Sequence, residues 1–367
     1  MTAKKGKTIN KENKKTGEAV FKDDVIRLSH GDGGIKTNEL INDLILKYLG
    51  NKILNRLEDS AVLKGFSGCS DNYKIAFTTD SFVVNPIFFP GGDIGKLSIC
   101  GTINDLVTTG CIPAALSLSF IIEESFHVSD LKKILSSIKK VLNETGLNVV
   151  TGDTKVVEKG SADKIYINTS GLGFIPDNLD ISPYNIKPGD AILINGGIGE
   201  HGAAIISSRK GFDFKTNIVS DCSPLLSLVN DITSASGKIH ALRDATRGGL
   251  ASVLVELAKS SETDFNIYEN CIPVKKEVKG VCEFLGLDPL YIANEGKMVV
   301  FVDKNDADIV LDVMKKNKYG KGSCVIGEVT EKSRKAKKDS GTVTLVTKIG
   351  TKRILDLAFA EQLPRIC

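Results

Sequence analysis

The sequence closes on Leu363-Pro364-Arg365-Ile366-Cys367, and the thiol of Cys367 is the group that most needs a chemical reason. A thiolate is a strong nucleophile and a good anchor for a transferred group. Pro364 cannot continue a helix, so the last residues are expected to project as a movable arm. Three plainer readings compete: a buried apolar residue, an accident of position, or a lipidation site. A prenylation box needs its cysteine four residues from the end, and here the cysteine is last.

Carboxylates form a second set. Asp80 follows an apolar run, Asp93 lies in Gly91-Gly92-Asp93-Ile94-Gly95, and Asp105 ends Gly101-Thr102-Ile103-Asn104-Asp105. Asp153 lies in Thr151-Gly152-Asp153-Thr154-Lys155, and Asp244 in Arg243-Asp244-Ala245-Thr246-Arg247-Gly248-Gly249. Singly, such aspartates cap helices or make turns. Converging, they suit Mg²⁺ bridging carboxylates and nucleotide phosphates, with glycines letting backbone N–H groups approach phosphate. There is no P-loop and no kinase signature, so a nucleotide site must be of another kind.

Lys155 and Glu295, the latter in Asn294-Glu295-Gly296-Lys297, are candidates for proton transfer. A lysine paired with a glutamate can act as acid or base, and the competing reading is a surface ion pair. His30 and His201 also adjoin glycines, but no further ligands are spaced nearby, so a hydrogen-bonding role in a loop is expected of them.

These residues must be positioned by regular elements. Period-two and period-3.6 patterns predict strands at 74–80, 114–122, 148–151, 165–174, 191–194 and 298–302, and a strand pair at 324–329 and 343–347 flanking a basic loop. Helices are predicted at 94–109, from 128, after Gly199, and near 225–235, 248–259, 278–285 and 307–316. An apolar helical pattern also runs from Leu40 to Leu49. The proline-rich stretch from Pro176 to Pro188 marks a domain boundary. The expected fold class is mixed α/β. It has a disordered basic extension (1–22), an N-terminal domain (23–176), a C-terminal domain (177–350) and a mobile tail (351–367).

Composition narrows the classes. With 48 basic and 45 acidic residues, charge implies no nucleic-acid or membrane partner. The lysines near the start, and Lys332 to Lys338, read as solvated segments. No apolar run reaches membrane-span length, and the start lacks a signal-peptide core. The eight scattered cysteines include no C-x-x-C pair, which suits a reduced, cytoplasmic protein.

Several blocks together carry a resemblance. They are His30-Gly31-Asp32-Gly33-Gly34, Phe88 to Lys96, Cys100 to Leu106, Gly152 to Val157, Gly199-Glu200-His201-Gly202, Arg243 to Leu250, Ala293 to Lys297, and Pro364-Arg365-Ile366-Cys367. From about residue 25 to its end the chain resembles the HypE family of hydrogenase maturation proteins. That family lies within the superfamily of aminoimidazole ribonucleotide synthetase and selenophosphate synthetase. The last four residues make the match specific. Asp32 and Ala245 depart from the usual pattern, where a small residue and a proline are common.

The resemblance implies a two-domain aminoimidazole ribonucleotide synthetase-like fold, a homodimer formed through the N-terminal domain, and ATP with Mg²⁺. It implies that ATP is held around Asp80, Asp93, Lys96, Asn104, Asp105, Gly152, Asp153, Asp244 and Arg247, with Asp80, Asp93, Asp105 and Asp244 toward the metal. Cys367 would carry a carbamoyl group loaded by the carbamoyltransferase HypF. ATP would drive its dehydration to a thiocyanate, with Lys155 and Glu295 taking protons. The nitrile would pass to the HypC–HypD complex for the nickel–iron hydrogenase site. An arm from residue 353 would reach about 50 Å at ~3.3 Å per residue. Two alternatives stay open: another ATP-dependent enzyme of the superfamily, or a non-enzymatic assembly scaffold.

Overall fold

In a computed structural model, the described residues are 23, 25–31, 33–64, 74–209, 217–332, 341–358 and 365–367. The expected 1–22 extension, residues 333–338 of the basic loop and part of the tail lie outside them.

Two sheets organise the chain. The first is built from β1 (Ala61–Lys64), β2 (Lys74–Phe82), β5 (Ile112–Glu123), β6 (Val149–Val157) and β7 (Ile165–Ile175), in the order β1-β2-β7-β5-β6. A two-stranded ribbon, β3 (Phe88–Phe89) with β4 (Gly92–Asp93), leads into the central helix. The second sheet has the order β14-β13-β10-β12-β8-β11-β9. Its strands are β8 (Ala191–Ile194), β9 (Ile239–Asp244), β10 (Asp264–Tyr268), β11 (Met298–Val302), β12 (Cys324–Thr330), β13 (Val343–Val346) and β14 (Lys352–Leu355).

Helices α1 (Ile35–Leu40) and α2 (Leu46–Leu49) near the start bury no residue fully, and Ile35 packs half-buried against the core of the second half. α3 (Ile94–Val107) is instead buried on nearly every side. It lies on the first sheet, where a Cβ on Gly171 would come within 2.6 Å of Leu106. α4 (Val128–Thr145) packs on its outer flank, and a Cβ on Gly95 would sit 2.8 Å from the Ile134 carbonyl. One buried cluster joins Ile99 and Ile103 of α3 to Leu225, Leu228 and Met298 of the second half. The two sheets therefore share a core through α3. The second sheet is flanked by α5 (Glu200–Ser207), α6 (Leu226–Ala235), α7 (Gly249–Ser261), α8 (Lys276–Leu285) and α9 (Ala307–Lys316). No helix among the described residues is long and apolar enough to cross a membrane.

Three expectations change. The strand expected at 148–151 runs on to Val157, because β6 pairs in parallel with β5 through Glu123↔Val157. The strands flanking the basic loop do not pair with each other, because β10 lies between β12 and β13. The tail is not loose from residue 351. β14 pairs antiparallel with β13, Leu355 and Leu357 are buried, and the Ile35 N–H donates to the Ala358 carbonyl (3.1 Å). Apolar contacts and a strand ladder thus fix the root of the arm through Ala358. Nine residues span about 30 Å at ~3.3 Å each.

Leu355→Ala should cost about 2–5 kcal/mol of stability in urea unfolding, as for a buried leucine truncated in a core. A loose arm would give no change.

Candidate active site

Strand register sets where the carboxylates point. Asp80 stands opposite Thr169, Thr169 opposite Leu118, and Leu118 opposite Gly152, so these four share one row and one face of the first sheet. That face meets α3, which brings Asp105. β9 ends at Asp244, and Arg247 sits in the turn before α7. The Thr78 hydroxyl lies within hydrogen-bonding distance of the Asp105 carboxylate (3.1 Å) and the Asp59 carbonyl (2.9 Å). Asp59 forms an ion pair with Arg243.

The charges are crowded. Burial pushes the Asp105 carboxyl well up, and Asp244, Asp59 and Asp80 push it further. Burial, then Asp59, raises Asp244 to about 8. Burial raises Asp80, opposed by the Arg247 guanidinium. The Asp244 Oδ2 and Glu295 Oε1 atoms are buried without a hydrogen-bond partner. Among the described residues no three acidic, histidine or cysteine side chains converge into a protein-only metal cage. Mg²⁺ normally takes one or two carboxylates and completes its shell with phosphate and water. Like charges that raise one another, one with an unpartnered oxygen, fit an ion of that kind taking one or two of Asp80, Asp105 and Asp244 as ligands.

Glu295 is positioned by its neighbours' backbone. The Asp221 carboxylate accepts from the N–H groups of Glu295 (3.3 Å) and Gly296 (3.0 Å). Asn195 donates to the Gly296 carbonyl (3.0 Å) and accepts from Met298 (2.8 Å). The Asn294 side chain accepts from Gly199 (2.7 Å) and donates to the Ala245 carbonyl (2.7 Å). Only glycine fits at 296, where a Cβ would lie 2.1 Å from the Asp221 carbonyl. Burial pushes the Glu295 carboxyl well up, helped by Cys222 and Asp244.

The end of the chain is inserted beside this group. Ile366 is buried, and Cys367 is half-buried against the core shared by both halves. Burial raises the Cys367 thiol to about 12, opposed by Arg247 and reinforced by Glu295, Asp80 and Asp244. Arg247 is exposed as a residue, yet its largest electrostatic partner is Cys367. Cys367, Arg247, Glu295, Asp80 and Asp244 therefore form one neighbourhood.

Other expected site residues are engaged elsewhere. Asp93 caps α3, accepting from Gly95 (2.8 Å), Lys96 (3.1 Å) and the Ser137 hydroxyl (2.6 Å). The Lys96 ammonium donates to the Gly91 carbonyl (2.7 Å). Asn104 ties the halves together, donating to the Ser223 carbonyl (3.1 Å) and accepting from Leu225 (2.8 Å). Gly152 is required by strand packing, since a Cβ would lie 2.2 Å from the Leu118 carbonyl. Its row places it about 14 Å from Asp80, three strand spacings away. Asp153 and Lys155 project from the opposite face and pair with each other at 2.6 Å, both largely exposed. The sheet stands between them and Glu295 in the same chain.

Sequence reading missed Asp59, Asp221 and Cys222. None adjoins a glycine, and their partners are distant in sequence, so no local signal marked them. His201 sits in the first turn of α5 rather than in a loop, and it does hydrogen-bond.

Comparison with known proteins gives the chain its relatives. Residues 57–175 match the family model of the AIR synthase related protein N-terminal domain, and residues 187–339 that of the C-terminal domain. The chain is 45% identical over 343 residues to a protein of Rhizobium leguminosarum bv. viciae named carbamoyl dehydratase HypE, covering 93% of this chain and 95% of that one. It is similar to a crystal structure of a HypE–HypF complex, with TM-score 0.80, 47% identity, and 87% and 99% of the two chains covered. It is also similar to HypE in complex with ATP, with TM-score 0.76, 42% identity, and 92% and 98% covered.

The folded chain holds the Asp244 proton more tightly than the unfolded chain, whose value is 3.8. The associated stability is full below that value and lost as pH rises toward about 8. Asp244→Asn should therefore flatten the fall in melting temperature between about pH 5 and pH 8. Parallel profiles for the two proteins would contradict the raised carboxyl.

Proposed function

The chain belongs to the HypE family of carbamoyl dehydratases, and on that premise we propose that it dehydrates a carbamoyl group carried on the Cys367 thiol. ATP drives the reaction and a thiocyanate is the product. The observation that carries this reading is the insertion of Cys367 among Arg247, Glu295, Asp80 and Asp244. A terminal thiol held beside buried carboxylates suits a tethered substrate.

The carbamoyl oxygen attacks the γ-phosphorus of ATP, and ADP departs. Loss of the N–H protons and breaking of the C–O bond release phosphate and leave S–C≡N. Amide oxygen alone leaves poorly, and phosphorylation makes it a good leaving group. One or two of Asp80, Asp105 and Asp244 would hold Mg²⁺, which would neutralise phosphate charge. Arg247 orients the oxygen-bearing side of the substrate with its guanidinium. Glu295 takes the nitrogen protons, since a carboxyl raised toward neutrality is matched to such a transfer. Asn104 and Asp93 act by holding α3 and the Glu295 loop in place. Lys155 has no path to this site within its own chain.

A second copy of the chain is the natural cover for the face that carries Asp153 and Lys155. β6 is an edge strand exposed along almost its whole length. Phe77, Ile121 and Phe174 add apolar surface on neighbouring strands. This supports a homodimer built on the first sheet, which is where Lys155 would meet a partner copy. A HypF-type carbamoyltransferase loads Cys367, as the HypE–HypF complex of a relative suggests. A HypC–HypD-type complex receives the nitrile for the nickel–iron site. The seven described cysteines are all free, in keeping with a reduced cytoplasmic setting.

Cys367→Ala should take up no carbamoyl group from the transferase while still binding ATP. Glu295→Gln should load normally and then lose water at least 100-fold more slowly, the scale of a lost general base. Both are read by intact mass. Carbamoyl retained on Cys367→Ala would remove Cys367 as carrier.

A further inference from the structure

The inserted tip is held by contacts from both halves of the molecule. The Val83 N–H donates to the Cys367 carbonyl (3.3 Å), and the Asn85 N–H to the Arg365 carbonyl (3.1 Å). Arg365 donates to the Val83 carbonyl (2.9 Å) and to Asp163 (2.6 Å), and Arg209 donates to the Arg365 carbonyl (3.1 Å). These groups are partly open to water, which competes for each of them. One contact is dry. The His201 ring, fully buried, has Nε2 at 2.9 Å from the Ile366 carbonyl. Its Nδ1 lies 2.7 Å from the Ser220 hydroxyl.

The tautomer follows from the partners. A carbonyl only accepts, so Nε2 carries the hydrogen and donates it to Ile366. Burial disfavours the charged ring, so Nδ1 is bare and accepts from the Ser220 O–H. Ser220 is itself fixed: its N–H donates to the Pro90 carbonyl (2.8 Å), and its Oγ accepts from Cys222 (3.1 Å). Phe89 meets the ring edge-on, with centroids 5.4 Å apart. The donor is therefore pre-aimed whether or not the tail is present.

We propose that His201 is a positioning residue, a latch whose Nε2–H grips the Ile366 carbonyl and holds the neighbouring Cys367 thiol in the site. The proposal rests on the carrier reading above. It divides the cycle: the latch favours dehydration, which needs the tail inserted, and opposes loading, which needs it exposed.

The test is iodoacetamide labelling of Cys367 in the full chain, without ATP or partners, read by peptide mass. His201→Ala should label Cys367 about five- to tenfold faster than the unchanged chain, the scale of one buried hydrogen bond. His201→Gln keeps an N–H donor at that reach and should stay within about twofold. Asp163→Asn, which loses a water-exposed ion pair, should shift labelling less than His201→Ala. Cys100 and Cys222, both buried, report any general loosening. In single turnover of pre-loaded chains, His201→Ala should slow the ATP-driven loss of water without slowing loading. Unchanged Cys367 labelling in His201→Ala overturns the latch. So does a His201→Gln protein as labile as His201→Ala, or a parallel rise at Cys100 and Cys222. Labelling as predicted, with no ATP-driven loss of water even in the unchanged chain, supports the latch and overturns the carrier reading.

Discussion

Asp80, Asp105, Asp244 and Glu295 are gathered, mostly out of water, around one guanidinium and one thiol. Two carboxylates about 6 Å apart repel by roughly 3 kcal/mol at an effective dielectric constant near 20. Such a cluster persists only where the surrounding fold leaves it no freedom to relax. That explains why so much backbone is pinned nearby. Asn195, Asn294, Asn104 and Asp221 all use their side chains on the loops that carry Glu295. The result is a place that favours protons in its resting state and favours cations and phosphate when they arrive. Charge that is costly at rest becomes binding energy in the working complex.

The same place must receive the end of the chain. The arm has a fixed root at β14 and Leu357, and a fixed tip at Arg365 to Cys367. Its root lies on the second sheet, while its tip bridges both halves, so insertion reads whether the halves are correctly apposed. A short leash is an advantage here. The nine residues beyond Ala358 can span at most about 30 Å, and a shorter leash loses less entropy on return. In the proposed carrier role, burial of the inserted Cys367 thiol has a use. An inserted, unloaded thiol stays protonated and inert among carboxylates, and becomes a nucleophile only when the arm carries it into water.

Much of this was legible in the sequence, for reasons that can be stated. Strands β2, β5, β7, β8 and β11 and helices α3, α4 and α9 announce themselves by period and by their glycine and proline borders. Asp80, Asp105 and Asp244 stood out at the ends of elements or near glycines and Glu295 beside one, and the fold gathers all four into one neighbourhood. Asp93 shared that signature, but its glycines serve a helix start, which is the ordinary alternative for the pattern. Gly152-Asp153-Thr154-Lys155 fell outside the predicted strand, because exposed polar residues break the apolar alternation of a strand. β6 is an edge that no helix covers, so that alternation was never required of it. β14 and the packing of Leu355 depend on β13 across a turn. Asp59, Asp221 and the grip of His201 on Ile366 depend on contacts between residues far apart in sequence, which no local pattern encodes.

The central claim is that the inserted thiol presents a carbamoyl group for ATP-driven loss of water. Its most direct measurement is the intact mass of the chain loaded at Cys367, followed with and without ATP. The mass should fall by one water only when ATP is present, with the change confined to the peptide that carries Cys367. Retention of the full carbamoyl mass in the presence of ATP would contradict it.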